Sequence, residues 1–203
     1  RRPQQPVQLT GTAAITDALG YAMHFGDAWA AGEPPASYAL AADAALLAPA
    51  AVEADTLTEW TSAPQAADYI AIVHRSLWDA VQPLLDHHTA QGLRVAKVDV
   101  QDIYDEVNAG LLDPEAIRAF LRHAYHYWNT GEEEPPRYVL LVGDGHYDFK
   151  VVTGTKLPNL IPPYLIHIDP WIGETAADNR YASVDLLQDE LDDYLPDMAI
   201  GRI

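Results

Sequence analysis

The sequence has no cysteine in its 203 residues. That excludes disulfide staples, thiolate-bound zinc and a cysteine nucleophile within this chain. Basic residues are scarce: twelve Lys and Arg face thirty Asp and Glu, a formal charge of −18. Neutralising a phosphate backbone takes a dense Lys/Arg face, which argues against nucleic acid or anionic membrane as a partner, and cations or basic peptides fit better. No apolar run approaches the roughly 18 residues of a membrane helix. There is no G-x-S-x-G elbow, no P-loop and no G-x-G-x-x-G turn, since Gly143-Asp144-Gly145 is too short to count. The chain opens on Arg1-Arg2-Pro3 without an apolar secretory stretch and stops at Ile200-Gly201-Arg202-Ile203, which reads as the middle of a strand. A segment of a longer protein, cut at its C-terminal end, is therefore expected.

What is present is 49% hydrophobic, enough for a packed core and incompatible with disorder. Residues 1–66 are rich in Ala, with Pro pairs and Gly between short apolar stretches at 7–15, 21–29 and 37–47. These read as strands of a preceding β-rich domain, followed by a linker at 58–65. The Ala-rich run 39–52 also suits a helix, although Pro49 would interrupt it.

From residue 67 onward strands and helices alternate. Tyr69-Ile70-Ala71-Ile72-Val73 is a near-continuous apolar run, as expected for a strand covered on both faces. A helix follows, with Ser76 as its cap, Leu77, Val81, Leu84, Leu85 and His88 at helical spacing, and Gly92 as its stop. Pro83 forces a kink or a later start. The stretch 94–100 makes a strand at or near a sheet edge, and 101–112 reads as a loop. Asp113-Pro114-Glu115 opens a second helix with Ile117, Phe120, Leu121, Ala124 and Trp128 on one stripe. The most hydrophobic strand, 137–143, belongs at the sheet centre. This β-α-β-α-β order predicts an α/β fold: a parallel sheet with helices on both faces, preceded by the small β-rich segment.

Working residues of such sheets gather beyond the carboxyl ends of the strands, which directs attention to Asp144 after Gly143. Asp144 either caps the strand and bonds loop amides or supplies oxygen to a cation. A long irregular stretch is expected over 149–178, then a short strand over 178–185, a turn crowded with Asp189, Glu190, Asp192 and Asp193, and a further strand from 197. Calcium takes six to eight oxygens, and loops this acidic can supply them, although no EF-hand spacing is present and a solvated turn is the alternative. His87-His88 and the His123/His126 pair lack the further ligands of a zinc site, so they read as exposed or interfacial histidines.

The string Tyr138-Val139-Leu140-Leu141-Val142-Gly143-Asp144, then Gly173-Glu174-Thr175-Ala176-Ala177-Asp178-Asn179-Arg180-Tyr181-Ala182, then Leu195-Pro196-Asp197-Met198-Ala199-Ile200-Gly201-Arg202, resembles the gingipain-like family of cysteine peptidases. Gln91-Gly92-Leu93-Arg94-Val95 also matches its pattern, and the likeness spans roughly residues 67–203. The resemblance implies a caspase-like unit of two side-by-side subdomains, of which 67–203 would be the first. It places the catalytic His and Cys in the second, downstream subdomain, the partner of this one in the same chain. It also implies a protein or peptide substrate, an extracellular or cell-surface location, and structural calcium. Asp144, Asp178 and Asp197 fall at matching motif positions and are candidate calcium ligands; Asp185 joins them from its neighbourhood.

The chain itself is expected to be catalytically inert, because thiolate attack needs a Cys beside a His base and oxyanion donors. Two other readings are open. In one, the parent is a binding or surface-structural protein that keeps the fold without the dyad. In the other, the chain is a stand-alone flavodoxin-like domain with a small-molecule pocket at its strand ends.

Overall fold

The computed structural model describes residues 13–17, 20–26, 38, 48, 58–62, 65–129, 134–149, 152–169, 171, 173–184 and 195–203. The chain divides into two compact units, Arg1–Ala54 and Asp55–Ile203. In the first, β1 (Ala13–Asp17) and β2 (Gly20–His24) pair antiparallel, from Ala13 opposite His24 to Asp17 opposite Gly20. They overlap two of the three expected strands. The expected strand at 37–47 and the alternative helix at 39–52 lie outside the described residues, apart from Tyr38 and Ala48.

The second unit is built on four parallel strands: β3 (Tyr69–Val73), β4 (Val95–Asp99), β5 (Tyr138–Val142) and β8 (Ala199–Arg202). Their order is β4-β3-β5-β8, which puts β4 at an edge and β5 inside, as the apolarity of each suggests. Helices cover both faces. Ile70, Ile72, Val98, Val139 and Leu141 point to one layer, containing α2 (Val100–Asn108) and α3 (Pro114–Tyr127). Tyr69, Ala71, Val73, Leu140 and Val142 point to the other, where Val81 and Leu85 pack. Leu85 belongs to α1 (Gln82–Ala90), and adjacent residues of one strand serve opposite cores because strand side chains alternate.

Pro83 delays the first helix. A 3-10 turn at Arg75–Leu77 precedes α1, and Pro83 sits in the first turn of α1, where a missing N–H costs nothing. The turn is capped by His74, whose ring accepts the Ser76 N–H, and α1 itself starts after Val81 with no side-chain cap, so Ser76 is not the helix cap. Gly92 stops the helix at φ +91°, as read. The start of α3 is also as read: Asp113 Oδ1 accepts the Glu115 N–H at 2.9 Å.

Three further expectations are overturned. The loop expected at 101–112 is mostly α2: Asp99 Oδ1 accepts the Gln101 N–H at 2.9 Å, and Val100, Ile103 and Tyr104 recur at helical spacing and are buried. The irregular stretch expected at 149–178 contains an antiparallel hairpin of β6 (Leu165–Asp169) and β7 (Gly173–Ala176). The strand expected next is instead a 3-10 turn, Asp178–Ala182, which sinks Tyr181 and Ala182 into the core; Asp185 lies outside the described residues.

Candidate functional site at the strand ends

All four sheet strands point the same way, so their carboxyl ends bring His74, Asp99, Gly143-Asp144 and Arg202 to one edge. The floor of this edge is a tight crossing of two loops. The Asp144 carbonyl accepts the N–H groups of Leu160 and Ile161 at 2.9 and 3.2 Å. A Cβ on Gly145 would stand 2.1 Å from the Ile161 carbonyl oxygen, so only glycine fits. Asn159 fastens the crossing by accepting the His146 N–H at 3.2 Å and donating to the His146 carbonyl at 2.9 Å. The next turn closes on Asp148, whose carboxylate accepts from the Val152 N–H, the Thr153 N–H and the Thr153 hydroxyl at 2.7, 2.7 and 2.5 Å. The Thr153 hydroxyl leads in drawing the Asp148 carboxyl below its ordinary pKa, and burial opposes it.

Arg202 binds this edge together. Its Nε and Nη2 meet the two oxygens of Asp178 at 2.7 and 3.0 Å, Nη1 reaches the carbonyls of Gly143 and Ile161 at 2.8 Å each, and Nη2 also reaches that of Pro162 at 3.1 Å. One planar group thereby satisfies three backbone acceptors from the two ends of the β5–β6 connection and a carboxylate from the turn at Asp178. Fully buried Tyr181 adds its hydroxyl to the Pro162 carbonyl at 2.7 Å, and burial pushes its phenol pKa up. Tyr164, which donates its hydroxyl to Glu115, is pushed up to about 12 by burial and then by that carboxylate.

The four candidate calcium ligands are placed as follows. Asp178 gives both oxygens to Arg202 and accepts the Tyr164 N–H as well. Asp144 is exposed and its Oδ1 accepts the Gly145 N–H at 2.8 Å, while Asp197 Oδ2 accepts the Val184 N–H at 2.7 Å ahead of β8. Asp185 lies outside the described residues. Among the described residues no three His, Asp or Glu side chains gather as a metal would require. Sequence reading singled out the carboxylates and missed the cation: Arg202 was visible only as the end of a Gly-Arg motif.

The edge is built to hold shape, and among the described residues it carries no reacting pair. His74 Nδ1 and Ser76 Oγ are 2.8 Å apart, but the same nitrogen takes the Ser76 N–H, so the contact is the cap of a 3-10 turn. Beside it, a groove of about 470 Å³ runs between the start of α3 and the β6–β7 hairpin, lined by Asp113, Glu115, Tyr147, Phe149, Tyr164 and Glu174 among others. No helix among the described residues is long and apolar enough to cross a membrane.

Compared with known proteins, residues 62–203 match the family model of Peptidase family C25. The crystal structure of dimeric latent PorU from Porphyromonas gingivalis aligns with a TM-score of 0.56 at 20% identity, over 68% of this chain and 14% of that one. At that identity the likeness is one of fold. The crystal structure of the Arg-specific cysteine proteinase gingipain R aligns with a TM-score of 0.40 at 21% identity, over 73% of this chain and 26% of that one. This chain therefore spans a small part of both proteins. A search of the curated proteins returned no match.

Proposed function

The chain belongs to peptidase family C25, and from that membership we propose that its α/β unit is a non-catalytic subdomain of a secreted or cell-surface cysteine endopeptidase. In this reading a neighbouring subdomain of the same protein carries the His/Cys dyad and acts on protein substrates. The observation that carries it is the combination of the family's sheet with a sequence that holds no cysteine: this segment can shape a peptidase but cannot supply its thiolate.

The support lies in how the strand ends are finished. Arg202 ties the loop after β5 to the turn at Asp178, leaving a rigid rim beside the outer strand β8. A rim held by guanidinium and backbone bonds suits a buttress for loops that must place a nucleophile within a fraction of an ångström. Structural calcium stays part of the proposal; with both Asp178 oxygens bound by Arg202, its ligands would come from the other acidic residues.

The test compares this chain with the full-length protein on casein, each with and without iodoacetamide. The chain alone is expected to leave casein intact, and the full-length protein to cleave it until its thiol is alkylated. A full-length protein that cleaves nothing would instead support the binding or surface-structural reading. Casein cleavage by the chain alone would refute the non-catalytic role.

A further inference from the structure

Glu106, near the end of α2, reaches across the fold to a segment more than forty residues earlier. Its Oε1 accepts the Thr58 hydroxyl at 2.5 Å and the Trp60 N–H at 3.0 Å. Its Oε2 accepts the Thr61 N–H at 3.0 Å and the Thr61 hydroxyl at 2.9 Å. Four donors on one ionised carboxylate make each bond stronger than a neutral one. Burial of Glu106 favours its neutral form, yet the bonds from Thr58, Trp60 and Thr61 outweigh it and lower its pKa. The segment is a small closed turn, with the Ser62 N–H on the Glu59 carbonyl at 3.3 Å.

The same segment lies on the aromatic end of the core. The Trp128 indole N–H donates to the Trp60 carbonyl at 3.2 Å, the two rings are 6.1 Å apart, and Trp128 in turn meets Phe120 edge-on at 5.6 Å. Closure has a cost, because the Trp60 indole nitrogen is buried with no hydrogen-bond partner among the described residues. Beyond the segment the chain is fixed again by a separate device. Asn129 gives its N–H to the Gln65 carbonyl at 3.1 Å, and its side chain pairs with both backbone groups of Ala67 at 2.8 and 2.7 Å. One carboxylate thus holds a short turn whose far end is anchored independently, and which bears an unfavourable buried group. That is the construction of a latch.

We propose that residues 58–62 form a releasable strap, latched to α2 by Glu106, which covers the Trp128 indole at the aromatic end of the core. With the latch closed, the chain is held at Thr58, just past the boundary at Ala54/Asp55. With it open, the first fixed point becomes Gln65. Opening also uncovers the Trp128 indole. The strap therefore governs exposure of that aromatic end, independently of whether the protein is a peptidase.

Hydrogen exchange at the Trp60 and Thr61 amides tests this in the whole 203-residue chain. Glu106→Gln places amide hydrogens against the strap's donors, Glu106→Ala removes the acceptor, and Thr58→Ala deletes one donor without touching α2. Exchange at Trp60 and Thr61 is expected to quicken by about tenfold or more in both Glu106 variants and by less in Thr58→Ala. The amides of Tyr69–Val73 and Tyr138–Val142 should keep their wild-type rates, and Glu59→Gln, on an exposed part of the strap, should change nothing. Unchanged rates at Trp60 and Thr61 in the Glu106 variants would overturn the proposal. So would a rise shared equally by the sheet amides, which would make Glu106 an ordinary contributor to global stability.

Discussion

A guanidinium presents five N–H donors in a rigid fork, and at Arg202 each of the five meets an acceptor. A lysine there would bring one point charge to a place that needs a plane. Arg202→Lys is therefore expected to lower unfolding stability by about 2–3 kcal/mol, because Gly143, Ile161 and Pro162 lose donors and Asp178 keeps its charge. Urea melts of the two proteins measure it, and a difference below about 0.5 kcal/mol would show the fork to be dispensable. Sequence reading had the residue in view but not its role. Its partners lie 24 to 59 positions away, and no local pattern reports a contact over that distance. Glu106 was hidden in the same way, its donors being 45 to 48 positions earlier.

Elements were legible in proportion to how much local chemistry bounds them. α3 has a cap, a proline at its start and an unbroken apolar stripe, and it forms as read. α2 has the same cap chemistry at Asp99 but follows β4 without a turn, so its first residue, Val100, reads equally well as the end of the strand. The helical reading makes a sharp distinction between two residues of α2. Ile103 is 1% exposed and Val107 is 37% exposed. Ile103→Ala should cost about 2–4 kcal/mol and Val107→Ala less than about 1 kcal/mol, read from denaturant midpoints. Equal costs would contradict the burial of only one face. The β6–β7 hairpin was missed because Gly154, Pro158, Pro162 and Pro163 precede it and Pro170 and Gly173 lie within it, and each is a loop signal taken alone.

At the scale of the whole molecule, the sheet is tied at its opposite, amino-terminal end by Asp68. Its carboxylate meets Arg94 Nε and Nη2 at 3.1 and 3.0 Å and the Arg94 N–H at 2.9 Å, and its carbonyl takes the Arg137 and Tyr138 N–H groups, so β3, β4 and β5 start together. The Arg94 hydrogen bonds lead in lowering the Asp68 carboxyl pKa to about 2, against an ordinary 3.8. A depressed carboxylate pKa adds stability above the unfolded-state value and loses it as pH falls from about 4 to about 2. With Arg94 more than a third exposed, screening leaves about 1 kcal/mol. The stability gap between wild type and Asp68→Asn is therefore expected at pH 6 and should shrink at pH 2.5; a gap constant across that range would remove Asp68 from the acid response. The sequence by itself determined the alternation of apolar strands and helices and the parallel sheet, which follow from residue type and periodicity and are local; the likeness to the C25 peptidases was carried by short motifs and their order. Tertiary structure decided what each charge does: Asp178 is bound to an arginine from another strand, and Glu106 holds a distant turn. Pairings of that kind are chosen by which strand ends and helix faces the fold brings within about 3 Å, and composition does not contain that information.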